Sequence, residues 1–228
     1  WKADNTSGTS NTDGTITSTV SANPTAGFSI VTYDSNPTGT VGHGLSEAPE
    51  LIIEKKRDAA SDWIVGHTVL DGSYDYVRLN TSASNANSAV AAPTSTVFTP
   101  NATSNSMIAY CFHSVEGYSK IGSYTGNGST NGPFVNTGFR PAFILWKRSS
   151  ATSNWVIWDD ARSPFNVVDK VLFPDIENAE STSSASYGID MLSNGFKMRS
   201  NNSTINGSGS TYIYMAFAES PFKYSNAR

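Results

Sequence analysis

Val115-Glu116-Gly117-Tyr118-Ser119-Lys120-Ile121-Gly122-Ser123-Tyr124-Thr125-Gly126-Asn127-Gly128 is the stretch on which the reading of the fold turns. Taken alone, it is a Gly- and Tyr-rich connector between two strand-rich blocks. Its surroundings change that reading. The run before it, Met107-Ile108-Ala109-Tyr110-Cys111-Phe112, is answered near the end of the chain by Tyr212-Ile213-Tyr214-Met215-Ala216-Phe217. The run after it, Phe139-Arg140-Pro141-Ala142-Phe143-Ile144-Leu145-Trp146-Lys147-Arg148, answers Ala48-Pro49-Glu50-Leu51-Ile52-Ile53-Glu54-Lys55-Lys56-Arg57.

The spacing is regular. Tyr124 lies 91 residues after Tyr33, Pro141 lies 92 after Pro49, and Trp155 lies 92 after Trp63. Phe196 follows Phe98 by 98 residues and Phe217 follows Phe112 by 105, which places insertions in the second copy near 162–166 and 201–210. A period near 100 residues is too long for a solenoid repeat, so a duplicated half-domain is expected. The stretch 117–124 then matches 27–33 with one residue of slack. It becomes the first strand of a second copy, joined almost directly to the last strand of the first.

Strand signals fill both copies. Gly27-Phe28-Ser29-Ile30-Val31-Thr32-Tyr33, Trp63-Ile64-Val65-Gly66-His67 and Tyr76-Val77-Arg78-Leu79-Asn80 alternate in the manner of half-buried strands. No segment sustains a 3.6-residue apolar period, although a short helical turn is expected near 175–180. Short strands broken by Gly and Pro predict an all-β fold, an antiparallel sandwich or jelly roll. The expected organisation is an N-terminal arm or edge strand at 1–26, a first β-rich half at 27–116, and a second at 117–228 packed with the first.

Composition agrees. Hydrophobic residues make up 38 % of the 228 and charged residues only 15 %, so the surface is built largely from neutral polar groups. A net charge of −4 leaves no basic stripe to displace counterions from phosphates, which argues against nucleic acid. Cys111 is the single cysteine, so an internal disulfide framework is excluded, and its apolar run predicts a buried, inert thiol. No apolar run approaches the roughly 20 residues of a transmembrane helix, so no membrane insertion is expected. The chain begins at Trp1, as expected of a processed product or a part of a longer protein.

Catalytic patterns are weak. A glycosidase needs two carboxyls flanking the scissile bond, and no alternating acidic strand is present. Glu47, Glu50 and Glu54 precede Lys55-Lys56-Arg57, the pattern of a solvated strand end. There is no Gly-x-Ser-x-Gly elbow, and His43, His67 and His113 lack metal-ligand spacing. The most site-like constellation is Trp158-Asp159-Asp160 with Arg162. Alternation places Trp155 and Ile157 on one strand face and Val156 and Trp158 on the other, and Trp158 falls opposite Gly66 in the repeat. Trp158 is therefore the candidate for an exposed stacking face, with Asp159, Asp160 and Arg162 completing a ligand-binding set. Asp159 and Asp160, with Asn166 and Asp169, also offer hard oxygen ligands for Ca²⁺. The competing reading is a loop whose carboxylates take backbone N–H groups or pair with Arg162. No catalytic residue, metal or cofactor is expected, with Ca²⁺ at Asp159 and Asp160 the one candidate beside that reading.

Several strings resemble a domain that recurs in tail-fibre and other virion proteins of tailed bacteriophages, marine ones in particular. They are 27–33, Ile108-Ala109-Tyr110-Cys111-Phe112, 115–128, Thr137-Gly138-Phe139-Arg140-Pro141-Ala142 and Tyr212-Ile213-Tyr214-Met215-Ala216-Phe217-Ala218-Glu219. The resemblance spans about residues 27–222. It implies a concanavalin A-like β-sandwich on a virion, outside the cell, in contact with the host surface. It transfers no catalytic residue. The chain departs from the pattern at His113-Ser114, where the second copy has Ala218-Glu219. The expected function is a non-enzymatic structural and adhesion module of a phage fibre or capsid appendage, binding a host glycan or protein. Its expected partners are copies of itself or other virion proteins. The alternative is a self-assembling structural protein whose 1–26 arm pairs with a neighbouring subunit.

A break within 115–128 is expected to abolish folding, not to release two stable halves. Separate expression of 27–116 and 117–228, followed by circular dichroism, checks this.

Overall fold

The computed structural model describes residues 2–4, 7–34, 38–101 and 106–219. The protein is all-β, built of several antiparallel sheets. It divides into two compact units: Trp1–Leu79 with Ala86–Val115, and Asn80–Asn85 with Glu116–Arg228. No helix among the described residues is long and apolar enough to cross a membrane.

The first unit begins with β1 (Thr9–Asn11) and β2 (Ser18–Asn23), so the expected arm is a two-stranded edge. A 3₁₀ turn at Pro24–Ala26, capped by the Asn23 side chain, leads through Gly27 at φ 63° into β3 (Phe28–Asp34). A non-glycine residue would be strained at that φ. A Cβ there would also stand 2.6 Å from the His113 carbonyl. There follow β4 (Val41–Gly42), β5 (Leu51–Lys56), β6 (Ile64–His67), β7 (Asp75–Arg78), β8 (Ala86–Asn87), β9 (Val97–Phe98) and β10 (Ser106–Phe112). The main sheet runs β1-β2-β3-β10-β5-β6-β7-β8, and β4 pairs with β9 separately. Val41 and Phe98 from that small pair share a buried cluster with Val31, Ile52, Met107 and Cys111 from the main sheet.

The second unit comprises β11 (Ser119–Thr125), β12 (Phe134–Asn136), β13 (Pro141–Arg148), β14 (Val156–Asp159), β15 (Lys170–Val171), β16 (Ser181–Thr182), α1 (Ser184–Tyr187), β17 (Ile189–Leu192), β18 (Gly195–Met198), α2 (Ser203–Asn206) and β19 (Thr211–Ala218). Its sheets run β11-β19-β13-β14, β12-β18-β17 and β15-β16. The helical turn expected at 175–180 is absent. The chain turns at Pro174-Asp175, and the helix forms later, capped by Ser183, whose side chain accepts from Ser186 N–H.

Strand order is shared by the two units. The series β3-β10-β5-β6 and β11-β19-β13-β14 each run first, last, second, third. Registers agree as well. Val41 lies opposite Phe98, and Val135 opposite Phe196. Tyr33 meets Phe98 edge-on at 5.7 Å and 79°, and Tyr124 meets Phe196 at 6.3 Å and 80°. Hairpin loops are clasped alike. Lys55 Nζ donates to the Ser61 carbonyl and sits 5.9 Å from the Trp63 ring, while Lys147 Nζ donates to the Ser153 carbonyl and sits 6.0 Å from Trp155. Trp155 is buried and Trp63 only half-buried, so the second clasp is the enclosed one.

That enclosure has a pH signature. Burial lowers the Lys147 ammonium to about 8 from 10.5, although Asp175 nearby raises it. Below about pH 8 both the folded and unfolded chains carry the charge, and the full burial cost is present. As pH rises through about 8 the folded chain releases the proton while the unfolded chain keeps it, so stability rises. Lys147→Met should flatten this rise between about pH 7.5 and 9.5 in urea unfolding.

Candidate functional site

The expected ligand set does not assemble. Trp158 is fully buried in the second unit's core, edge-on to Trp146 at 5.8 Å, and its Nε1–H donates to the Tyr187 carbonyl at 2.9 Å. It is correctly placed on the face opposite Trp155 and Ile157, but that face carries the core. The sheet β12-β18-β17 supplies Ile189, Met191 and Phe196 to the same cluster. Trp158 is thus a packing residue, not a stacking surface.

Its neighbours are occupied too. Arg162 Nε meets Asp159 Oδ2 at 2.6 Å, Arg162 N–H donates to Asp159 Oδ1, and Arg162 Nη1 reaches Glu180 at 3.1 Å. Asp160 is paired with Arg140 at 3.0 Å. Asn166 spends its side chain on Met191, donating to the carbonyl and accepting from the N–H. A Ca²⁺ would have to displace guanidinium groups already neutralising both carboxylates. Among the described residues no three His, Cys, Asp or Glu side chains converge as a metal site requires.

A concave polar surface lies instead on the first unit, across β5, β6 and β7. It consists of two adjoining hollows of about 370 and 280 Å³ that share Ile64, Arg78 and Asn101. Antiparallel pairing sets Glu54 opposite Ile64 and Ile64 opposite Arg78, so these side chains form one row across the strands. Tyr76 and Arg78, two apart on β7, share that face. The Arg78 guanidinium lies 5.2 Å above the Tyr76 ring and pairs with Asp62 at 2.9 Å. The larger hollow is walled by 87–90, with Asn87 and Ala89 exposed at its rim. Glu54, Lys56 and Met107 line the smaller one.

Glu54 is the keystone of this surface. The sequence placed it at a solvated strand end, yet it is fully buried, because Ile52 and Glu54 alternate onto the core face. Tyr33 Oη donates to Glu54 Oε2 at 3.0 Å, and Asn101 donates to Oε1 from both its backbone N–H (3.2 Å) and its side chain (3.4 Å). Asn101 Oδ1 in turn accepts from Ser88 Oγ at 2.5 Å. One carboxylate therefore ties the loop at 101 and, through it, the wall at 88. Burial, reinforced by Glu54, holds the Tyr33 hydroxyl protonated well above its ordinary range, and the same causes act on Tyr74. Cys111 is fully buried and burial raises its pKa, in keeping with the inert thiol expected.

At the offset of 92, Glu54 corresponds to Trp146 and Gly66 to Trp158. Both indoles are fully buried in the second unit. In the first unit Tyr74 closes over Gly66 so tightly that a Cβ would lie 2.1 Å from its hydroxyl, and the site of Trp146 is left to a carboxylate. The signal for the groove was thus in the sequence, as an acid aligned with a core tryptophan.

These features define an all-β protein with a polar groove on its first unit and, among its described residues, no group of three His, Cys, Asp or Glu side chains placed to hold a metal. Residues 1–221 match the family described as Domain of unknown function (DUF7483), and the chain belongs to it. No curated protein and no solved structure matches.

Glu54→Ala leaves the Tyr33 hydroxyl and the Asn101 N–H without their acceptor and should cost about 2–4 kcal/mol. Glu54→Gln retains an acceptor oxygen and should cost less than half as much. Urea titration of both variants checks the ordering.

Proposed function

We propose that the chain is a non-enzymatic structural and adhesion module of a bacteriophage appendage, binding a host surface glycan or protein outside the cell. Its architecture on this reading is an internally duplicated, concanavalin A-like β-sandwich. The shared strand order, the matching Tyr–Phe contacts and the paired Lys–Trp clasps support the duplication. In each unit a small sheet faces a larger one across a common core, which supports the sandwich. The strings 27–33, 115–128 and 212–219 support the virion setting through their resemblance to phage tail-fibre domains.

The observation that carries a binding role is the difference between the copies. Where one unit fills its core face with Trp146 and Trp158, the other holds Glu54 and an open groove. A buried carboxylate is costly unless satisfied, and a concave surface with convergent polar groups is the usual form of a ligand site. The low charge and hydroxyl-rich surface suit a protein that must meet cells without indiscriminate attachment. The arm supports adhesion over arm-mediated assembly, since β2 pairs with β3 of its own unit along 18–23.

Fluorescently labelled chain should bind intact bacterial cells of a susceptible host and lose binding after enzymatic stripping of surface polysaccharide. No binding across a panel of marine bacterial strains, together with a blank glycan array, overturns the adhesion role.

A further inference from the structure

We infer that the groove on the first unit takes a neutral saccharide, held by the Arg78–Asp62 pair and by Asn101. The inference rests on the binding role proposed above and narrows it to one site and one ligand class. Its ground is the charge and polarity of the lining.

Two cationic side chains, Lys56 and Arg78, and two carboxylates, Glu54 and Asp62, line the smaller hollow. Their formal charges cancel. An anionic ligand would meet Asp62 above the buried charge of Glu54 as well as the cations, and a cationic ligand would meet Arg78 and Lys56. Neither gains a net attraction. An uncharged polyol meets donors and acceptors side by side, which is what adjacent sugar hydroxyls require, since each both donates and accepts. Arg78 and Asp62, 2.9 Å apart and each partly exposed, present such a donor–acceptor pair at the groove surface. The shared wall supplies the rest. Ile64 and Val90 offer apolar surface to pyranose C–H groups, and Asn101, held by Glu54 and Ser88, offers a fixed amide.

Orientation favours the same class. The guanidinium lies over Tyr76 and is paired through Nε with Asp62, so it is ordered before any ligand arrives. Preorganisation matters most for weakly binding, strongly hydrated ligands, whose contacts with protein barely exceed those with water.

The test is a ¹H–¹⁵N NMR titration of the full chain with the methyl pyranosides of glucose, galactose and mannose, beside glucuronate and glucosamine. At least one neutral glycoside should shift amides of β6, β7, 87–90 and 101, and the charged sugars should bind more weakly. Arg78→Ala should weaken binding at least about tenfold, the scale of one lost charge-assisted hydrogen bond. Ala89→Trp, at an exposed rim position that leaves the core untouched, should block it. Lys170→Ala in the second unit should change nothing. No shift with any neutral glycoside, preference for a charged sugar, or shifts outside the groove each overturns the inference. Sugar binding in the groove without cell attachment would remove the adhesion role alone. Undiminished cell attachment by both Arg78→Ala and Ala89→Trp would remove the groove alone.

Discussion

Each unit must satisfy a tyrosine hydroxyl that its first long strand carries into the interior. Tyr33 and Tyr124 occupy matching places on β3 and β11, each edge-on to a phenylalanine of the small sheet. A phenolic ring contributes much apolar area, but its hydroxyl cannot be left unpaired in a low-dielectric interior. The two units meet this requirement with different neighbours on the strand two places over. Tyr124 accepts from Trp146 Nε1 at 2.7 Å and donates to the Ile205 carbonyl at 2.7 Å. Tyr33 donates to Glu54. Much else follows from that single exchange of partner.

With tryptophan as partner, the hydroxyl is enclosed by hydrocarbon. Trp146 stacks on Tyr212 at 5.0 Å and Tyr212 on Tyr124 at 4.9 Å, so the second unit is centred on an aromatic stack. The segment 201–210 exists to close it: Tyr212 Oη donates to Ser203 and accepts from Gly207 N–H, while Asn206 binds Ser129 and Ser200. With glutamate as partner, the same position demands further donors, and these come from Asn101. The strand that is a wall of rings in one unit becomes the floor of a polar hollow in the other.

This explains what could be read in advance. Strand existence was legible because alternation and the offsets of 91 and 92 are properties of local sequence: β5 at Leu51–Lys56 and β10 at Ser106–Phe112 fall where the apolar runs do. The site was not legible by the same means. Trp158 looked spare because Gly66 stands 92 residues before it, but glycine there records a tyrosine arriving from 74, not a surface. Glu54 looked solvated because Lys55 and Lys56 follow, but Lys55 takes the opposite strand face and Lys56, on the same face, lies at the strand's last position beside the hollow, so neither reports the burial of Glu54. The pairing of Asp159 with Arg162, three residues on, was open to the sequence as the alternative to a Ca²⁺ site, but Arg140, 20 residues from Asp160, meets it only in the folded chain. Long-range partners decide burial and pairing, and no window of sequence contains them.

The groove depends on rigidity as much as on shape. Loops 88–90 and 101 are neither strand nor helix and would ordinarily be free to move. Here the Ser88–Asn101–Glu54–Tyr33 series anchors both to β3 and β5, inside the main sheet. A carboxylate buried without such partners would destabilise the unit, and loops without such a carboxylate would not hold the walls apart. Neither the acid nor the loops is useful alone. Their mutual requirement explains why the polar solution stands in the unit whose Ser88 and Asn101 reach it, whereas in the other unit the segment 201–210 offers Tyr124 the Ile205 carbonyl and Trp146 supplies the second partner.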